Sequence, residues 1–245
     1  MKIACWSGPR NLSTAMMYSF GNRADFEVMD EPFYAAFLRE TGIDHPMARE
    51  VMAAHETNWH RAAALCAARG AAPHVYQKHM CHQILDETPM GWAEGCKHVY
   101  LIRHPARVLA SYSAKREEVS LADIGVEQQL DLYEEFGGIV IDSADIRDAP
   151  EPMLRALCAA LDLDFDPAML RWPAGGHPAD GIWAQHWYGA VHNSTGFAGP
   201  EGPLPELSGQ LAEICERAMP SYAILRTQKL KALPLDGAAN FPSHF

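Results

Sequence analysis

Two short stretches of the chain combine a cation, hydroxyls and turn-forming residues in a pattern suited to holding an oxyanion. The first is Ser7-Gly8-Pro9-Arg10-Asn11-Leu12-Ser13-Thr14, set between an apolar run and a helical pattern. Open N–H groups at a helix start, with the helix dipole behind them, favour negative charge. Arg10 adds a fixed, planar donor, while Ser13 and Thr14 add hydroxyls within the first helical turn. Taken structurally only, the stretch is an ordinary strand-to-helix turn capped by Asn11 or Ser13. A Walker A loop needs a lysine before its Ser/Thr, and Leu12 stands there instead, which counts against ATP or GTP phosphotransfer.

The second stretch is His98-Val99-Tyr100-Leu101-Ile102-Arg103-His104-Pro105, with Ser111 eight residues beyond Arg103. Arg103 falls where a buried strand ends. Ligands of open α/β sheets bind outside the carboxyl ends of the strands, so Arg103 is expected on the same rim as Arg10. An arginine there and a serine on the next helix can hold a second phosphate. The purely structural alternative is an arginine paired with a carboxylate such as Asp30, and a serine that only packs. Two such turns in order imply a ligand with two separated anionic groups.

The elements that position these residues follow from apolar periodicity and turn signals. Strand-like runs at Lys2–Trp6, Phe26–Met29, Val75–Met80, His98–Ile102 and Ile139-Val140-Ile141 alternate with helical patterns, the mark of a parallel sheet with crossover helices. Helices are expected from about Leu12 to Phe20, over Pro46–Arg69 with Gly70 as its stop, from Pro105 onward, over Pro150–Leu161, and from Leu207 to about Ala218. Residues 172–205 have a different texture, rich in Gly, Pro, His, Trp and Tyr. Their aromatic and histidine cluster (Trp183, His186, Trp187, Tyr188, His192, Phe197) reads either as a lid and acceptor pocket or as a satellite cluster under a long loop. The last ten residues read as a tail. No repeat or domain boundary is visible, so residues 1–245 are expected to form one α/β domain, its parallel sheet flanked by helices on both faces.

The 245 residues are 48% hydrophobic and 21% charged, with 20 Lys+Arg against 31 Asp+Glu and a formal net charge of −11. That balance argues against a nucleic-acid surface or a polybasic membrane anchor. No apolar stretch nears the roughly 18 residues of a membrane span, and Gly8 and Pro9 interrupt the N-terminal run too early for a signal peptide. Six scattered cysteines without CxxC spacing read as reduced thiols in a cytoplasmic protein. Twelve histidines lack an HExxH pattern, and no metal site is expected.

Together the two turns resemble the PAPS-dependent sulfotransferase family, in particular its bacterial sulfotransferase-like subgroup. Gly8-Pro9-Arg10-Asn11-Leu12-Ser13-Thr14 is similar to the family's 5′-phosphosulfate loop, and Leu101 through Tyr112 to its 3′-phosphate motif, in which Arg and Ser lie eight residues apart. Tyr76-Gln77-Lys78-His79-Met80 resembles the strand carrying Lys-Thr-His in many members. Ile141-Asp142-Ser143-Ala144-Asp145-Ile146 and Leu161 through Asp166 resemble its later acidic and Phe-Leu-Gly segment, so the likeness spans residues 1–171. Leu12 departs from it, standing where the common loop has glycine. The late Lys-Gly-x-x-Gly element has only a loose counterpart in Gly175-Gly176-His177.

The resemblance implies a P-loop-type fold and sulfuryl transfer from the co-substrate PAPS to a hydroxyl or amine of a small acceptor, with PAP as product. Gly8, Pro9, Arg10, Asn11, Leu12, Ser13 and Thr14 would hold the 5′-phosphosulfate, and Arg103 and Ser111 the 3′-phosphate. Arg10 would stabilise the leaving oxygens without donating a proton, since a guanidinium is no acid at neutral pH. Glu31 and His79 compete as general base. Glu31 is preferred because its turn opens on the same rim, whereas His79 also reads as a structural strand-end histidine. Lys78 is expected either to support the transferring group or to face solvent. The rival functions are a metabolite kinase using ATP and a non-catalytic nucleotide-binding protein of the same fold.

Overall fold

A computed structural model describes residues 1–114 and 119–233. Along the chain it contains β1 (Lys2–Ser7), α1 (Ser13–Gly21), β2 (Phe26–Asp30), α2 (Tyr34–Thr41), α3 (Ala48–Ala54), α4 (Trp59–Ala67), β3 (His74–Met80), β4 (Lys97–Ile102), α5 (Pro105–Ser113), α6 (Leu121–Ile124), α7 (Val126–Phe136), β5 (Ile139–Asp142), α8 (Ser143–Asp148), α9 (Pro150–Ala160), α10 (Ala184–Trp187), α11 (Gly189–His192) and α12 (Gly209–Thr227). The strands form one sheet in the order β2-β3-β1-β4-β5, with every neighbour parallel. From β1 the chain winds first to one side and then crosses back to the other. The switch point of the topology therefore lies at β1, and its crevice opens beyond that strand's carboxyl end.

Both faces of the sheet are buried, as a parallel sheet requires. The two-residue period sends Ile3, Cys5, Tyr76, Val99, Leu101 and Ile141 to one side, under Met16, Met17 and Phe20 of α1 and Leu154, Leu157 and Cys158 of α9. Ala4, Trp6, Tyr100, Ile102 and Val140 face the other side, under Val108 and Leu109 of α5, Leu132 of α7, and Tyr222 and Leu225 of α12. The expected α/β class, with helices on both faces, is the architecture observed.

Two helix expectations are corrected. The Pro46–Arg69 pattern is two helices, because Asn58 starts a new one: its side chain accepts the Arg61 N–H at 3.1 Å. The second helix ends at Ala67, with an extended Ala68 as its C-cap, rather than at Gly70, whose flank is filled by the Glu27 carboxylate. The last helix runs on past Ala218 to Thr227 with Pro220 inside it. An interior proline costs about 3 kcal/mol, but Ile214, Ala218, Tyr222 and Leu225 fall on one face and are all buried, and packing that face outweighs the local cost. The tail lies outside the described residues. Among those residues no helix is long and apolar enough to cross a membrane, and no group of three or more His, Cys, Asp or Glu is placed to hold a metal ion.

Candidate active site

The turn after β1 is shaped by close approach and by one left-handed residue. A Cβ at position 8 would lie 2.3 Å from the Ile124 carbonyl oxygen, so only glycine passes under α6. Arg10 takes the left-handed backbone with φ 56, a conformation that costs a non-glycine residue energy and concentrates at functional sites. Leu12, where the common loop has glycine, has an ordinary φ of −80. The loop bends at Arg10, so a side chain is tolerated at position 12. Asn11 is not a cap: its Nδ2 donates to the Leu101 carbonyl at 2.8 Å and its Oδ1 accepts the Leu12 N–H at 2.8 Å. No side chain caps α1, which keeps its first N–H groups available to an anion.

A cavity of about 310 Å³ opens over this turn and is lined by Pro9, Arg10, Asn11, Leu12, Ser13 and Thr14, by Arg103 and Ser111, and by Glu31 and Lys78. All the predicted site residues except Gly8 and His79 therefore share one cavity. Arg10 Nε donates to Ser111 Oγ at 3.1 Å, and a guanidinium N–H of Arg103 donates to the Arg10 carbonyl oxygen. The two basic turns are thus fastened together. Burial, followed by the neighbouring Arg103 charge, holds the Arg10 guanidinium below its ordinary pKa, a strain that an anion would relieve. Arg103 pairs not with Asp30 but with Glu201, which also pairs with Arg107 at 2.9 Å and Arg147 at 2.8 Å.

The opposite wall is a buried ionic network. Lys78, 1% exposed, donates to Asp30 Oδ1 at 2.9 Å, Glu31 Oε1 at 2.5 Å and the Tyr188 hydroxyl at 2.6 Å. An ammonium has three N–H bonds, so all are engaged and the solvent-facing alternative is excluded. Gln83 donates to Glu31 Oε2 at 2.6 Å, the Gly181 N–H to Asp30 Oδ2 at 3.0 Å, and Trp183 Nε1 to the Tyr188 oxygen at 2.9 Å. Glu31, like Arg10, has a left-handed backbone, φ 41.

The electrostatics separate the two carboxyls. Burial raises Glu31, but the Lys78 charge and the hydrogen bonds from Lys78 and Gln83 outweigh it and leave the group below its ordinary pKa. Burial dominates at Asp30, which stays raised despite Lys78. Burial lowers Lys78, yet the two carboxylates more than compensate and keep it protonated.

His79 is placed elsewhere. Alternation along β3 sends its ring to the face opposite Lys78, where it stacks on Trp6 at 4.6 Å between centroids and lies 4.8 Å from Trp92. Burial depresses its pKa to about 3, and it does not line the cavity. The 172–205 cluster divides: Trp187, Tyr188 and Ser194 line the cavity, Trp183 is buried beside Tyr34, Phe197 packs on Trp172, and His192 meets Asp180 at 3.1 Å. Asp30, Gln83, Arg107, Arg147 and Glu201 enter the site's surroundings without having been singled out as site residues in the sequence. The only local signal was the Asp30-Glu31-Pro32 turn at a strand end.

A family model described as the sulfotransferase domain matches residues 1–229. Two Arabidopsis thaliana proteins named branched-chain-amino-acid aminotransferase-like protein 1 and 2 are 38% and 36% identical over 92% and 91% of this chain, which spans 41% of each of them. The chain therefore covers about two fifths of these relatives' length. Among solved structures, the sulfotransferase domain of the Synechococcus PCC 7002 olefin synthase superposes with a TM-score of 0.54 at 18% identity, over 96% of each chain. The sulfotransferase domain from the curacin biosynthetic pathway gives 0.52 at 16% identity, over 90% of this chain and 96% of that one. A sulfotransferase from Alicyclobacillus acidocaldarius gives 0.53 at 13%, over 92% and 94%. These likenesses concern the fold, and with the family match over nearly its whole length the chain belongs to the sulfotransferase domain family.

Proposed function

We propose that this chain transfers a sulfuryl group from PAPS to a hydroxyl or amine of a small-molecule acceptor. The observation that carries the reading is the junction of the two basic turns in one cavity, Arg10 hydrogen-bonded to Ser111 and Arg103 to the Arg10 backbone, with a buried carboxylate on the facing wall. Residues 8–14 and the open start of α1 suit a 5′-phosphosulfate, and Arg103 with Ser111 suits a 3′-phosphate. The co-substrate brings an activated sulfuryl group on a phosphate leaving group.

In this reading, Arg10 and the α1 N–H groups stabilise negative charge that builds on the phosphate oxygen as its bond to sulfur breaks. Glu31 accepts the proton released as the acceptor's oxygen or nitrogen bonds to sulfur. Lys78 touches neither partner directly; it holds Glu31 ionised and oriented. A carboxylate with a depressed pKa is a weak base, so its contribution is largest late in the reaction, when the attacking atom has become acidic. Trp187 and Tyr188 close the acceptor side, and residues 172–205 act as the lid. Gly8 shapes the turn from below. His79 is assigned to the aromatic core and not to proton transfer.

The test is to incubate the chain with PAPS labelled in its sulfuryl group and a panel of hydroxylated and amine metabolites. Label transferred to an acceptor, and lost in Arg10→Ala, supports the proposal. Label retained on PAPS across the panel, together with phosphoryl transfer from ATP, points instead to a metabolite kinase; nucleotide binding without either transfer identifies a non-catalytic relative.

A further inference from the structure

Glu201 has the surroundings of a ligand rather than of a surface carboxylate. Its side chain is 5% exposed and shared among three guanidinium groups, those of Arg103, Arg107 and Arg147. They come from separate elements: the end of β4, the first turn of α5, and α8. The segment bearing Glu201 starts at the cavity, which Ala198 lines, and the Gly199 and Gly202 carbonyl oxygens accept from Arg147 and Arg107. Arg103 itself lines the cavity that contains Arg10 and Ser111.

The charges in this seat do not match. Three guanidiniums carry three positive charges, whereas a carboxylate brings one negative charge on two oxygens. A phosphate monoester brings nearly two charges and three acceptor oxygens, and the planar fork of arginine fits it two bonds at a time. A dianion therefore fills the seat better than Glu201 does. Glu201 is flanked on each side by glycine and proline, Gly199-Pro200 and Gly202-Pro203, and the glycines supply the backbone freedom for it to leave.

We propose that Glu201 is a resident competitor for the 3′-phosphate seat, and that Arg107 and Arg147 belong to that seat with Arg103. Nucleotide binding then depends on a 3′-phosphate. A nucleotide lacking it must bind with Glu201 still in place, and gains nothing from the arginines. The inference rests on the reading of PAPS as co-substrate, and it turns Glu201 into a specificity residue.

Calorimetry with PAP and with adenosine 5′-monophosphate, on the wild type, Glu201→Gln and Arg147→Ala, tests it. Removing the competing charge tightens PAP about tenfold in Glu201→Gln and leaves the monophosphate unchanged. Arg147→Ala weakens PAP about tenfold, again without effect on the monophosphate. Melting curves establish that the variants fold. If Glu201→Gln does not, Glu201→Ala, which also removes the competing carboxylate, must show the same tightening. Unchanged or weaker PAP binding in a folded Glu201 variant overturns the proposal, and so does equal tightening of both nucleotides or tighter PAP binding by Arg147→Ala. Absence of PAP binding by the wild type and every variant contradicts the PAPS reading itself, a distinct outcome.

Discussion

Arg10 Nε and Ser111 Oγ, separated by 101 positions in the chain, lie 3.1 Å apart. Through this bond the turn after β1 and the helix after β4 become walls of one cavity, at the point where a switch in strand order opens a crevice. In the proposed reading the arginine assigned to the first anion is held by the serine assigned to the second, which would couple binding at one end to geometry at the other.

That coupling predicts unequal losses. Arg10→Ala removes the cation proposed to stabilise the leaving oxygens and is expected to lower kcat about a hundredfold or more. Ser111→Ala frees the Arg10 side chain and weakens PAP about tenfold while reducing kcat less. In the double variant the two effects are not additive, because both residues act through one hydrogen bond. Steady-state kinetics and PAP titration of the three variants measure this directly.

Glu31→Gln keeps the shape of the side chain and removes its charge. The expected loss in kcat is about a hundredfold to ten-thousandfold, with PAP affinity nearly unchanged. Because Glu31 lies below its ordinary pKa, it stays ionised throughout the neutral range and down past the usual glutamate value. The kcat profile should show no acid limb from this group between about pH 5 and 8. A near-normal kcat in Glu31→Gln removes it as base.

Tyr188→Phe takes away the hydroxyl that receives Lys78 and Trp183 Nε1 and faces Asp30. Two buried donors lose a partner, at a cost of about 1–3 kcal/mol each when nothing replaces it. Denaturant unfolding should report a clear loss of stability. Trp183→Phe should lose less, since it removes one donor together with its bond.

His79 supplies a pH signature of the fold. Its pKa in the folded chain is about 3, against about 6.5 unfolded. Between those values the unfolded chain binds the extra proton, so this residue costs stability increasingly as pH falls below the upper one, by about 1.4 kcal/mol per pH unit. His79→Gln should flatten the acid side of the stability profile by roughly one proton, while an equal slope in wild type and variant contradicts the assignment.

The parts of the site written within a few residues were legible in the sequence. Strand, turn and helix around Arg10, and strand, Arg103, Pro105 and Ser111, are local patterns with local causes. The period-two alternation that separates Lys78 from His79 was also present, but which face the cavity would occupy depends on the whole sheet. Tyr188 meets Asp30 across 158 positions and Glu201 meets Arg103 across 98; no spacing rule spans such distances, and both lie in a segment without periodicity. The same limit explains Pro220, which reads locally as a break and is carried through by packing of Tyr222 and Leu225.

Whether the two basic turns hold PAP is decided by calorimetric titration of the wild-type chain with PAP in a metal-free buffer, beside titration with ATP and Mg²⁺. Saturable PAP binding that needs no divalent cation and is lost in Arg103→Ala is the expected result. Mg²⁺-dependent ATP binding with no response to PAP would contradict it.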